Sequence, residues 1–143
     1  MCQFESAICV YVNNDLKVYT SRKSCSHSDI RKEFNLRDGG GLLDRYQTPV
    51  EYAPVDSLYG EWEFRFDAGR PEWWEDWMTE KAKRVLYKSG LAKLESFEGD
   101  LYLNTLTTLP EGVTLSPGGN LYLSKLKSLP AGVTLSPGDS LYL

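Results

Sequence analysis

The sequence predicts an α+β fold, a small antiparallel sheet packed on one long amphipathic helix, followed by a short β-solenoid built from repeats. Two observations predict it. Along residues 1–90 the apolar spacing changes from the alternation typical of strands to the three- and four-residue spacing of a helix. From residue 101 onward an ungapped 20-residue repeat replaces both patterns. We therefore expect an α+β globular domain at 1–90 and a repeat tail at 91–143.

The predicted sheet begins with a hairpin. Residues 6–12 and 16–20 are apolar or alternating, and an Asn-Asn-Asp sequence at 13–15 suits the tight turn between them. Two further strands are expected at 48–53 and 61–66. In the second of these, aromatic and charged residues alternate, which predicts one buried and one solvated face.

One short and one long helix are expected. A Ser-x-x-Asp capping sequence at 26–29 predicts a short helix over 30–36, which a glycine loop at 38–41 ends. The long helix is expected over 71–88, because proline suits its first position and Gly90 is a plausible stop. Its single apolar stripe comprises Trp74, Trp77, Met78, Ala82, Val85 and Leu86.

The overall charge is weakly acidic, because 16 basic and 20 acidic side chains give a net charge of −4. This disfavours a protein that binds nucleic acid directly through general electrostatics. The acidic excess lies at 51–80, where nine acidic residues face two basic ones. Such a segment is either a solvated face, neutralised by the basic stretch at 17–37, or a surface that docks on a basic partner. The candidate binding residues in it are Glu61, Glu63, Glu72, Glu75 and Asp76.

Targeting and cofactor signals are not found in the sequence. No 18-residue apolar run could span a membrane, and the start has no basic region followed by an apolar core, so a cytoplasmic protein is expected. Cys2, Cys9 and Cys25 are odd in number and lack CxxC spacing, which favours reduced thiols over a disulfide frame or a zinc site. No metal site and no cofactor are predicted.

The tail contains the repeats 101–120 and 121–140 and a partial third repeat at 141–143. Thirteen of the twenty positions are identical between the two full repeats. Their L-x-L-x-x-L-x-x-L-P spacing resembles the short, proline-containing leucine-rich repeats of bacteria and phages. The resemblance implies a leucine-rich-repeat-like β-solenoid with an inward-facing core. The implied core leucines are Leu101, Leu103, Leu121, Leu123, Leu141 and Leu143.

The same resemblance implies that Tyr102, Tyr122 and Tyr142 point outward as a ladder. The ladder either only stabilises neighbouring strands or also binds a protein partner, with Lys125 and Lys127 beside it. The third repeat has no polar cap after Leu141, Tyr142 and Leu143. We therefore expect this edge to pair with a second copy of the chain, giving a homo-oligomer, or with a strand of a target protein.

The N-terminal domain contains the start MCQFESAI, the sequences SHSDIRKEFNLRD and TPVEYAP, and the closing EWEFRFDAGRPEWWEDW. In these features it resembles an uncharacterised family of small phage and prophage proteins. The resemblance implies a phage-encoded protein that acts in the host cytoplasm. By analogy, small acidic binders of this kind act as inhibitors of host proteins, including anti-CRISPR and other anti-defence proteins.

One enzymatic alternative stays open. After removal of the initiator methionine, Cys2 would carry both a thiol and an α-amine, as an N-terminal nucleophile does. His27, the only histidine, could serve as its base, with Glu51 or Asp67 orienting the ring. A histidine at a helix start is more often a capping or packing residue. The sequence therefore predicts a non-enzymatic protein-binding module; the alternatives are a Cys2-dependent hydrolase or amidotransferase-like enzyme with the repeat as targeting module, and a self-associating structural repeat protein.

Overall fold

The computed structural model describes residues 4–36 and 46–143, and its N-terminal part is built on a four-stranded antiparallel sheet. The strands are β1 (Glu5–Val12), β2 (Asp15–Tyr19), β3 (Gln47–Pro54) and β4 (Trp62–Phe66), in the order β2-β1-β3-β4. Asn13 and Asn14 join β1 to β2 with positive φ angles of 52° and 59°. Asparagine tolerates this left-handed conformation in a tight turn. The predicted hairpin and the two later strands are therefore confirmed.

A short helix, α1 (His27–Glu33), covers one face of this sheet. Ser26 caps its N-terminus, because the Ser26 hydroxyl accepts a hydrogen bond from the Asp29 amide at 3.4 Å, as the capping sequence predicts. Arg31 donates a hydrogen bond of 2.8 Å to Gln47 in β3, which fixes the helix against the sheet. The predicted glycine loop at 38–41 lies outside the described residues.

A second helix, α2 (Asp76–Ser96), covers the opposite face. The core between α2 and the sheet comprises Ala7, Cys9, Leu16, Val50, Trp74, Met78, Ala82 and Leu86. The predicted start at Pro71 and stop at Gly90 are both wrong, because α2 begins later and continues through the glycine. Gly90 serves close packing instead, since a Cβ there would lie 2.9 Å from a Phe4 ring atom and 3.1 Å from a Trp62 ring atom. Trp77, predicted on the buried stripe, is 40% exposed.

The repeat array, residues 101–143, forms two narrow parallel ladders. β5 (Leu101–Tyr102), β7 (Leu121–Tyr122) and β9 (Leu141–Tyr142) pair side by side, and β6 (Thr114–Leu115) pairs with β8 (Thr134–Leu135). Equivalent residues of successive repeats face each other in register. The 20-residue period of the sequence is therefore the chain length from each short strand to its neighbour.

The array stacks directly on the end of α2. The amide of Ser116 donates to the carbonyl of Leu94 at 2.8 Å, and the amide of Gly118 donates to the carbonyl of Phe97 at 2.7 Å. The last carbonyls of a helix have no partner within the helix, so the first turn of the array satisfies them. A second core joins the two parts. It comprises Phe4, Leu58, Trp62, Leu94, Leu101, Leu103, Leu106, Leu109, Leu115, Leu121 and Leu123.

Burial decreases along the array. Leu101, Leu103, Leu121 and Leu123 are buried as expected. Leu141 and Leu143 are 39% and 66% exposed, so the prediction that they are core residues is wrong. The reason is that no described turn stacks on their outer side. No helix in the described ranges has both the length and the apolar character needed to cross a membrane.

Candidate functional site

The candidate residues of the enzymatic alternative only partly come together. His27 begins α1, and its Nδ1 lies 3.6 Å from Oδ2 of Asp67, just beyond β4. Its Nε2 lies 3.0 Å from the carbonyl oxygen of Val50, to which an Nε2–H donates. Both ring nitrogens therefore face acceptors of the sheet, and the imidazole ties α1 to β3 and β4. Glu51 instead binds Arg65, with 2.6 Å between Oε2 and Nη2.

The cysteines of the described residues offer no accessible thiolate. Cys2, the candidate nucleophile of the enzymatic alternative, lies outside the described residues. Cys9 is fully buried, and burial raises the pKa of its thiol to about 12, so it stays protonated at neutral pH. Cys25 is disulfide-bonded, so the prediction of a reduced thiol is wrong for this residue. Within 4–36 and 46–143, no three His, Cys, Asp or Glu side chains are grouped to hold a metal ion.

The predicted tyrosine ladder forms on the β5-β7-β9 sheet. Tyr102, Tyr122 and Tyr142 stack with ring centroids 4.8 and 4.7 Å apart and interplanar angles of 2° and 5°. The neighbouring tyrosines occupy each other's faces. The ladder therefore presents ring edges and a row of hydroxyls, which leaves less aromatic surface for a partner than separate rings would.

A polar ladder runs beside the tyrosines. Asp100 Oδ1 accepts from the Asn120 amide at 2.7 Å, and Asn120 Oδ1 accepts from the Ser140 amide at 2.9 Å. Both ladders thus join one turn to the next, which supports the structural interpretation of the tyrosines. Lys125 and Lys127 are exposed in the loop after β7. Pairing through the exposed residues Leu141, Tyr142 and Leu143 stays a prediction.

The structure divides the predicted acidic surface between two places. Glu61 and Glu63 lie at β4, and Glu63 lines a small cavity with Arg65. The remaining three residues, Glu72, Glu75 and Asp76, lie in the segment that leads into α2 and are all exposed. This second group lies next to a partly exposed cluster of aromatic rings.

We call that cluster the aromatic surface; it consists of Tyr11, Tyr46, Trp73 and Trp77. Tyr11, near the end of β1, contacts the other three rings, with centroid distances of 6.0 Å to Trp73, 6.2 Å to Tyr46 and 6.3 Å to Trp77. Tyr46 also contacts Trp73 at 6.0 Å, nearly at a right angle. Trp77 is 40% exposed, and the other three residues are partly exposed. The rings thus contact one another as one group that solvent still reaches.

The border of the aromatic surface is acidic. The indole N–H of Trp77 donates to Oε2 of Glu75 at 2.6 Å, which holds this carboxylate beside the rings. Arg70 lies 3.3 Å from Asp76, but the Asp76 side chain is 97% exposed, so the pair contributes little. With Glu72, the segment 70–76 carries three acidic side chains and one basic one.

The sequence indicates this border but not the rings. Its pattern predicts a helix that starts at residue 71, whereas the helix begins at Asp76. One signal was present in the sequence, because the adjacent Trp73 and Trp74 cannot both point into the same core. Trp74 is buried and Trp73 is partly exposed.

Comparisons of the chain with protein-family models, with curated proteins and with solved structures gave no match.

Proposed function

We propose that this chain is a non-enzymatic protein-binding protein whose main binding surface is the aromatic surface with its acidic border. The observation that carries the proposal is the partly exposed cluster of four rings. Tryptophan and tyrosine supply large, rigid contact areas and are enriched at the centres of protein interfaces. Covering these rings with a partner would remove further apolar area from water.

The chemistry of the border defines the partner. Lysine or arginine side chains would pair with the carboxylates of Glu72, Glu75 and Asp76 and could lie over the tryptophan faces. Apolar side chains of the same segment would contact the rings. A phosphate backbone would be repelled by the acidic border, so we propose a basic protein segment and not a nucleic acid.

The proposed biological role is inhibition, in which the chain covers a functional surface of its partner. The resemblance of the N-terminal part to small phage and prophage proteins supports a phage-encoded inhibitor of a host protein, of the anti-CRISPR or another anti-defence type. We propose that the repeat array is a leucine-rich-repeat-like β-solenoid. Its tyrosine ladder would then be a second and weaker surface, because the stacked rings cover each other.

A Trp77→Ala variant tests the proposal. Trp77 belongs to neither core, so its loss should leave the fold intact. Proteins captured from a bacterial lysate are compared for the wild type and the variant, and the affinity of the captured partner is then measured for both. We expect the variant to bind at least about 30-fold more weakly, corresponding to roughly 2 kcal/mol for a central interface residue. Added salt should slow association of the wild type.

Two further variants locate the site. Tyr59→Ala is the matched control, because Tyr59 is 64% exposed and lies outside the aromatic surface. A variant with alanine at Tyr102, Tyr122 and Tyr142 removes the ladder. If only the ladder variant fails to bind the partner, the binding site lies on the array. A partner that binds every variant equally would contradict the proposal.

A further inference from the structure

A small open cavity lies on the face of β3 and β4 that is turned away from α2. Its volume is about 120 Å³. Its lining combines the charged residues Glu51, Glu63 and Arg65 with the apolar residues Ala53, Pro54 and Val55. Thr105 of the repeat array borders the cavity on the other side, where its hydroxyl donates to the carbonyl of Pro54 at 2.7 Å. Both parts of the molecule therefore build this cavity.

One lining residue, Glu51, carries a buried carboxylate and is only 2% exposed. Its Oε2 accepts a hydrogen bond from Arg65 at 2.6 Å. Its Oε1 is buried and has no hydrogen-bond partner among the described residues. A buried carboxylate oxygen without a donor is costly and rare, so this atom indicates a missing donor.

The local field favours a cationic donor. Arg65 is the one cationic residue in the described lining, and the carboxylates of Glu51, Glu63 and Asp67 surround it. The hydrogen bond from Arg65 to Glu51, together with the charges of Glu63 and Asp67, raises the pKa of Arg65. Two carboxylates and one guanidinium in the lining, with Asp67 outside it, leave an excess of negative charge.

We propose that this cavity binds an alkylammonium group. An ammonium is a compact donor that can satisfy the single free oxygen of Glu51. A guanidinium pairs best with two oxygens of one carboxylate, and Arg65 already uses one of them. The alkyl chain would lie along Ala53, Pro54 and Val55, as lysine stems do on apolar surface. This site is separate from the aromatic surface and goes beyond the proposed function.

The group can come from a small free amine or from a lysine side chain of a protein. The simplest competing explanation is internal. The Ser6 hydroxyl is also buried without a partner, and Ser6 is the register partner of Glu51 across β1 and β3. A turn of this hydroxyl toward Glu51 would satisfy both groups without any ligand.

A titration followed by NMR tests the site with n-butylamine and with an acetylated, amidated Gly-Lys-Gly peptide. We expect saturable shifts of the backbone amides of Ala53 and Thr105. n-Butanol, which has the same chain without the charge, should give none. Glu51→Gln should weaken binding by about tenfold or more, because it removes the charge that the ammonium meets. Glu63→Gln should have a smaller effect, since its side chain is exposed.

A tethered ammonium provides a second test that keeps Glu51 intact. The residue equivalent to Thr105 in the next repeat is Lys125, so the repeat accepts lysine at this position. Thr105→Lys should place its own ammonium in the cavity, melt at a higher temperature than the apolar control Thr105→Met, and abolish butylamine binding. In a Glu51→Gln background the difference in melting temperature should disappear.

The outcomes separate the explanations. Shifts with both probes support the site, shifts with butylamine alone assign a small amine, and shifts with the peptide alone assign a lysine side chain. Ser6→Ala should leave binding unchanged. The proposal is overturned if neither probe gives saturable shifts, if binding is equal in Glu51→Gln, or if Thr105→Lys and Thr105→Met melt alike.

Discussion

The N-terminal part and the repeat array bury different kinds of residue. Among the described residues before 101, the buried set includes three acidic or basic side chains, those of Glu5, Glu51 and Lys93. Within the array, the buried residues are seven leucines together with Pro117 and Gly119. The stability of the first region therefore depends on specific charge pairs, and that of the second depends on how many turns cover a leucine.

The array itself shows the second dependence. Leu109 and Leu129 occupy the same position of successive repeats, but Leu109 is 5% exposed and Leu129 is 54% exposed. Only the first belongs to the core shared with Phe4 and Trp62. The same residue in the same repeat position thus contributes differently according to its place in the stack.

The largest effect is expected at the buried ion pair of the N-terminal part. Lys93 Nζ lies 3.3 Å from Glu5 Oε1 and donates to the carbonyl of Phe4 at 2.6 Å. Lys93→Met leaves the Glu5 carboxylate buried without its cation and should lower the free energy of unfolding by about 3–5 kcal/mol. The measurement is denaturation by urea at neutral pH.

The double variant Glu5→Leu and Lys93→Met is the matched control. Desolvation raises the pKa of Glu5 and lowers that of Lys93, so burial penalises both charged forms. Removing both charges should therefore recover most of the lost stability. If the loss of stability in the double variant equals the sum of the losses in Lys93→Met and in Glu5→Leu alone, the two charges do not act as a pair and this difference between the two regions is contradicted.

A leucine pair tests the array with an intermediate effect. Leu109→Ala should lower the free energy of unfolding by about 2–4 kcal/mol, because it removes buried methyl groups and leaves a cavity. Leu129→Ala should change it by about 0.5 kcal/mol or less, as a substitution of an exposed residue does. Equal losses, measured by the same denaturation, would show that the place in the stack does not decide the contribution.

The sequence predicts the array better than it predicts the N-terminal part, for a physical reason. A period of 20 residues fixes which residues become neighbours, so the tyrosine stack follows directly from Tyr102 and Tyr122. In the N-terminal part, the spacing of apolar residues gives the strands but not the contacts between distant segments. Nothing local to Glu5 indicates that it pairs with Lys93, or that the ring of Tyr11 contacts Trp73. The aromatic surface and the alkylammonium cavity depend on such contacts.

The smallest effect is expected at high pH and concerns the array alone. Desolvation, followed by the charges of Asp100 and Tyr122, raises the pKa of Tyr102 above its ordinary value of 10.0. A group with a raised pKa in the folded state stabilises the fold fully below its unfolded pKa, and this contribution is lost as the pH rises through the folded pKa. The wild type should therefore lose stability at about pH 10 and higher. Tyr102→Phe should keep that stability, because it has no hydroxyl to ionise at this position. The measurement is the denaturation midpoint as a function of pH.

The control for this prediction is Tyr59→Phe, which changes an exposed tyrosine of the N-terminal part. Its pH profile should follow that of the wild type, because the change leaves Tyr102 and the groups around it in the array unaltered. The buried thiol of Cys9 also resists ionisation, but it is common to all three proteins and cancels in the comparison. If Tyr102→Phe follows the wild type as well, the prediction is wrong, and ionisation of Tyr102 does not lower the stability of the array at high pH.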